Sequence, residues 1–273
     1  MKASTTIGIA VAFGGLAMGA LMEGASPAAF LNIPALLIVL GGTFGVTLAG
    51  TTIEKMKLIP VLYKKAMAGD KPEMAEQLEL LVGFAERARR EGLLALDEEV
   101  AELDDEFTRK GLQLVVDGTD PELVREILEN EIDGMIGRHH ASVSPFEKAG
   151  GFAPTMGIIG TVMGLVHVLE NLDAPATLGP AISGAFIATL YGVGSANVIF
   201  LPTANKLKAM SAVEVELRSM TLEGILSIQA GDNPRVVADK LLSFIPPGER
   251  ASEIDPAEAA LAASPAEAEL AAA

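Results

Sequence analysis

Gly151-Phe152-Ala153-Pro154-Thr155-Met156-Gly157-Ile158-Ile159-Gly160-Thr161-Val162-Met163-Gly164-Leu165-Val166-His167 is the stretch that decides the fold. It carries no Asp, Glu, Lys or Arg, and the charge-free run around it extends from Ala149 to Leu169. A run of that length supplies the roughly 20 apolar residues that a helix needs to cross a bilayer core. Three more such runs follow the same rule: Ala3 to Met22, Ala25 to Ile53, and Ala174 to Asn205. Four of them are hard to bury in the core of a soluble chain of 273 residues. The expectation is therefore an all-α, polytopic membrane protein with four transmembrane helices and a helical cytoplasmic domain.

Composition agrees. Half the residues are hydrophobic, yet the net charge is -16, which implies apolar spans joined to strongly charged water-exposed segments. With no cysteine there is no disulfide frame and no thiol chemistry. The acidic balance argues against nucleic acid, whose phosphates would be repelled. Lys2 followed by an apolar run resembles a leader peptide, but the run is long, no small-residue cleavage site follows, and a second span begins almost at once, so the segment reads as retained.

Lysine and arginine set the expected orientation. The connections at Glu23–Ser26 and Glu170–Gly179 contain neither; the basic residues fall at Lys2, from Lys55 to Lys148 and from Lys206 to Arg250. By the positive-inside rule both termini and the central segment are expected to face the cytoplasm. The chain then divides into a transmembrane hairpin (1–53), a cytoplasmic helical domain (54–148), a second hairpin (149–205), cytoplasmic C-terminal helices (206–246) and a disordered Ala/Glu/Pro tail (247–273) that lacks a bulky apolar pattern.

Local signals refine the helical parts. Asp70-Lys71-Pro72 starts one helix and Gly92 ends or interrupts it; Asp120 is the expected N-cap of another, with Pro121 at its first position. Leu123, Ile127, Leu128, Ile132, Met135 and Ile136 fall at helical spacing and predict a buried stripe. A long helix continues from Lys206 to Gln229, and Asn233-Pro234 begins a shorter one expected to run to Pro246.

Inside the spans, small residues recur. Pro154, Gly157, Thr161 and Gly164 share one face of span three; Gly184, Ala188, Gly192 and Ala196 share one face of span four, with Thr189 beside it. Such faces let helices approach closely in lipid. Two readings stand: packing within this chain, or a housing for another protein's helix. Pro154 and Pro202 each remove a backbone donor and are candidate conformational hinges. Intramembrane ionisable groups usually mark ion pathways, but no carboxylate, lysine or arginine lies in any span. His167 is the sole titratable residue there, and its ordinary role is a hydrogen-bonded packing residue. If this chain helps move H+ or Na+, a partner must bring the acid. Thr161 and Thr189 would offer hydroxyl oxygens beside it.

These residues resemble a known family. The run Gly151 to His167 is similar to the third span of MotA and PomA stator proteins; Gly41-Gly42-Thr43-Phe44-Gly45 resembles their second, and Thr189-Leu190-Tyr191-Gly192 with Asn197 and Pro202 their fourth. Ala88-Arg89-Arg90-Glu91-Gly92-Leu93-Leu94-Ala95-Leu96-Asp97-Glu98 resembles the family's charged rotor-facing segment. The likeness runs from the first span to about Pro246. It implies a flagellar stator subunit in a homo-oligomeric ring of five copies around two MotB-like helices, each contributing an aspartate. It further implies that Arg89 or Arg90, with Asp97 or Glu98, contacts the rotor protein FliG, and that Pro154 and Pro202 are tied to conformational change. A hydroxyl at Thr161 goes, within the family, with sodium-driven members, which tilts the coupling ion toward Na+ over H+.

The nearest alternative is an ExbB or TolQ energiser, which shares the core but has three spans. A self-sufficient secondary transporter would need a polar midplane site, and an enzyme a nucleophile–base pair, phosphate loop or metal spacing. The sequence offers none of these, and His139-His140 stands without further ligands.

Overall fold

A computed structural model describes residues 4–24, 26–69 and 74–246. The helix start expected at Asp70-Lys71-Pro72 and the tail from 247 lie outside the described residues. Every regular element among those described is helical. The first span is α1 (Ser4–Met22). A 3-10 turn (Pro27–Phe30), α2 (Ile33–Leu36), a π-helical turn (Leu37–Gly41) and α3 (Gly42–Ala49) together form the second. Next come α4 (Ile53–Ala68), α5 (Met74–Glu91), a 3-10 turn (Leu93–Leu96), α6 (Asp97–Ala101) and α7 (Glu106–Val116). The third span is the C-terminal part of α8 (Pro121–Glu170); the fourth is α9 (Pro175–Gly194) with a π-helical turn (Ser195–Phe200) leading into α10 (Leu201–Gln229). Last is α11 (Pro234–Leu242). Four helices are long and apolar enough to cross a membrane, as the charge map requires.

The chain divides into two compact units, residues 1–71 with 137–211, and residues 72–136 with the described residues from 212 onward. The first unit holds the spans. Ala35, Val39, Thr43 and Thr47 recur every fourth residue along the second span and are all buried, so this span turns one narrow face inward. α1 buries no residue, as a lipid-facing helix can, because lipid tails exact no cost for exposed apolar side chains. The start of the second span, at Phe30 and Asn32, meets the fourth span beyond the first turns of α9. The Tyr191 hydroxyl donates to the Phe30 carbonyl and accepts from the Asn32 amide at 3.2 Å, while Gly184 approaches the Asn32 side chain. Non-helical backbone at that depth needs protein partners for its polar groups. Tyr191 and the Asn32 side chain, which accepts from the Ala35 amide at 3.0 Å, supply them.

The second unit is packed as a water-soluble domain is. Leu81, Leu96, Leu112, Val124, Leu128 and Ile225 have no exposed surface. Asp105 caps α7 by accepting from the Thr108 amide at 2.9 Å, and both its oxygens accept from Arg218 at 2.6 and 2.7 Å. Arg218 in turn lies 5.1 Å over the Phe107 ring. Burial raises the acidity threshold of Asp105, but the hydrogen bonds from Arg218 and Thr108 outweigh it, and the carboxyl sits below its ordinary pKa.

Two expectations need correction here. Along α8 the buried stripe is Val124, Leu128, Ile132 and Met135, whereas Leu123 and Ile136 are exposed. Leu128, Ile132 and Met135 lie inward as expected, and Val124 takes the place of Leu123 at the start of that face. α11 ends at Leu242, short of Pro246; its last residues close as a turn through the Ser243, Phe244 and Ile245 amides. Asp120 does accept from the Glu122 amide at 2.9 Å, as a helix start requires, and α5 ends where Gly92 turns to φ +88°.

Candidate functional site

The small faces of spans three and four meet one another. A Cβ placed on Gly192 would lie 2.5 Å from the Ala153 carbonyl oxygen, and one on Gly157 would lie 3.0 Å from the Ala188 carbonyl oxygen. A Cβ on Gly160 or Gly164 would meet the methyl of Ala188 or Ala185 at 2.8 Å. Of the two readings of these stripes, packing within the chain accounts for them: glycine is required because backbone touches backbone.

Thr161 and Thr189 sit at the edge of this seam. Their hydroxyl oxygens are 2.5 Å apart, and Thr161 Oγ1 is also 3.0 Å from the Gly157 carbonyl and 2.9 Å from the Ala185 carbonyl. Each hydroxyl has one proton and two lone pairs. If Thr189 donates to Thr161, and Thr161 to a carbonyl, the lone pairs of Thr189 stay open to accept. Both threonines are half-buried, while Gly157, Ala185, Ala188 and Gly192 around them are buried. The pair thus reaches the surface of the chain. Sequence reasoning singled out both residues but not their mutual contact. It passed over Thr43 and Thr47, whose fully enclosed hydroxyls have no side-chain or carbonyl partner.

Of the two prolines, Pro154 lies within an unbroken α8 that also runs through Pro145. Pro202 is the second residue after the π-helical turn Ser195–Phe200. A proline cannot donate to the carbonyl four residues back, and a π turn already mis-registers the ladder, so the weaker point in the backbone is at Pro202. There Asn197, Val198 and Pro202 line a cleft of 390 Å³ with Ser4, Thr5 and Gly8 of α1. His167 is exposed, and Asn171 donates to its carbonyl at 2.8 Å. His139 Nδ1 is 2.9 Å from Ser211 Oγ. No group of three metal-ligating side chains occurs among the described residues.

The charged candidates lie on one turn of the second unit. Arg89 and Arg90 occupy the last turn of α5, Asp97 and Glu98 the first turn of α6, each sign matched to its helix end. All four are exposed. Arg87, which sequence reasoning left aside, pairs with Glu99 at 2.5 Å and ties the two helices together across Gly92. Asp97 accepts from Gln113 at 3.2 Å, which engages one of its oxygens inside the chain; Glu98 stands beside it on the outer face.

Known proteins agree with this architecture. The MotA/TolQ/ExbB proton channel family matches residues 99–220. Motility protein A of Bacillus subtilis is 39% identical over 251 residues, covering 92% of this chain and 93% of that protein. Chemotaxis protein PomA of Vibrio alginolyticus is 36% identical over 254 residues, covering 93% and 99%. Among solved structures, the flagellar MotAB stator complex from Bacillus subtilis matches with a TM-score of 0.85 at 38% identity, over 91% of this chain and 98% of that one. The C. jejuni MotAB structure gives 0.86 at 31%, over 90% and 97%. Full-length relatives of this kind, together with four spans, disfavour the ExbB alternative. The chain belongs to the MotA/PomA branch of the MotA/TolQ/ExbB proton channel family.

Proposed function

We propose that this chain is the ring-forming subunit of a flagellar stator, coupling H+ or Na+ flow to torque with a MotB-like partner. One observation carries the reading: the spans hold no Asp, Glu, Lys or Arg, yet a hydrogen-bonded pair of half-buried threonines sits in the middle of them. The chain supplies a neutral housing with oxygen ligands, and the partner supplies the acid that carries charge. In this reading Thr161 and Thr189 flank the ion's path, and Pro202 with the adjoining π turn lets the fourth span flex, Pro154 doing so for the third. Five copies encircle the partner helices; both termini and the charged helices face the cytoplasm. Arg89, Arg90 and Glu98 meet FliG on the rotor, with Asp97 held back by Gln113.

Ion flux into vesicles tests the division of labour. The chain alone should pass neither H+ nor Na+; with the partner it should conduct, and Thr161→Ala and Thr189→Ala should slow conduction while the complex still assembles. Conduction by the chain alone would overturn the proposal.

A further inference from the structure

The turn that carries the four charges also carries an unpaired apolar side chain. Gly92 adopts φ +88° and ψ 163°, a conformation open to glycine, and throws the chain into the 3-10 turn Leu93–Leu96. Residues three apart eclipse in such a turn. Leu93 and Leu96 therefore point the same way, into the core, where Leu96 has no exposed surface. Leu94 is left pointing outward and is 78% exposed. The other large apolar side chains exposed in this unit, Leu123, Ile136 and Val236, retain far more cover, at 48%, 39% and 45%. Cationic Arg89 and Arg90 precede Leu94, and anionic Asp97 and Glu98 follow it. The Arg87–Glu99 bridge closes the base of the turn, so the leucine is presented on a braced support.

Resting on the reading of this turn as the rotor contact, we propose that Leu94 is the apolar anchor of that contact. It seats in a small aliphatic-lined depression of the rotor protein, flanked by a carboxylate on the arginine side and a basic group on the Glu98 side. The charges and the leucine have separable duties. Exposed charges steer encounter and set register but hold weakly in water. A desolvated apolar centre ringed by polar groups governs the rate of release. A contact that must be made and broken by each subunit in turn, under load, needs both.

Binding of FliG to the stator complex in nanodiscs, measured at 0.1 M and 1 M NaCl, separates them. Leu94→Ala should weaken binding about tenfold at both salts, as expected for loss of a seated aliphatic side chain, and should lower torque at high load more than at low load. Leu94→Gln, of similar length, should do the same, whereas Leu94→Met should restore most of the affinity. The double variant Arg89→Glu with Arg90→Glu should weaken binding at 0.1 M, and its penalty should shrink at 1 M, where screening removes surface electrostatics. If the charge variant weakens binding and Leu94→Ala and Leu94→Gln do not, the anchor is wrong and the rotor reading stands. Should neither variant change binding, the rotor reading of this turn fails and takes the anchor with it.

Discussion

Two stretches of one helix obey different rules. In α8, Val124, Leu128, Ile132 and Met135 fill the inward face of the second unit, while Ala153, Gly157, Gly160 and Gly164 fill the inward face of the spans. Water makes the difference. Where the outer face is wet, burying large aliphatic groups is the driving force, at about 25 cal/mol per Å². Where the outer face is lipid, burial gains nothing over exposure. Attraction then comes from dispersion and hydrogen bonds between closely spaced backbones. Most large residues of the third span, Ile158, Val162, Met163 and Leu169 among them, accordingly stay outside, Val168 excepted. Large-in and small-in are the same requirement under two solvents.

That contrast can be tested from both ends. Leu128→Ala should destabilise the second unit by about 2–5 kcal/mol, read as lost amide hydrogen-exchange protection in the intact complex; a cost below about 1 kcal/mol would mean the unit is not packed as a water-soluble core. In the spans the opposite change should hurt. Gly192→Ala drives a methyl against the Ala153 carbonyl and should cost about 1–3 kcal/mol, seen as a lower melting temperature in detergent. Gly137→Ala, which meets nothing within 4 Å, should be neutral or stabilise the helix by up to about 1 kcal/mol. Equal effects at the two glycines would break the close-packing account. Asp105→Asn gives a smaller effect, about 1 kcal/mol at neutral pH, because asparagine still caps α7 and only the partly exposed ion pair with Arg218 is lost. Because Asp105 is more acidic folded than unfolded, its contribution is complete above the ordinary aspartate range, near pH 4. It fades as pH falls through the depressed folded value. The variant and the parent should therefore converge in stability in strong acid, and a penalty that persists there would assign the effect to packing.

Much of this was legible in the residues. Absence of charge marked all four spans, since a bilayer tolerates few alternatives, and Asp120-Pro121 and Gly92 marked helix ends by backbone chemistry that is local. Thr161 and Thr189 could be singled out for the same reason: few polar side chains occur at depth. What stayed hidden is long-range. Nothing in sequence joins Asp105 to Arg218, 113 positions apart, or brings the two threonine hydroxyls into contact. The π turns at Leu37–Gly41 and Ser195–Phe200 have no composition of their own. On α8, Leu123 stood in for Val124 because the two are adjacent and equally apolar; only the neighbours decide which of them turns inward.

Tyr191 carries a consequence for biogenesis. Its hydroxyl satisfies backbone groups at Phe30 and Asn32, some 160 positions earlier. A ribosome delivers the first pair of spans long before the fourth emerges, so until then a carbonyl and an amide near the start of the second span wait without their native partner. The newborn first half is an incomplete object in the bilayer, and arrival of the last span is the event that seals it.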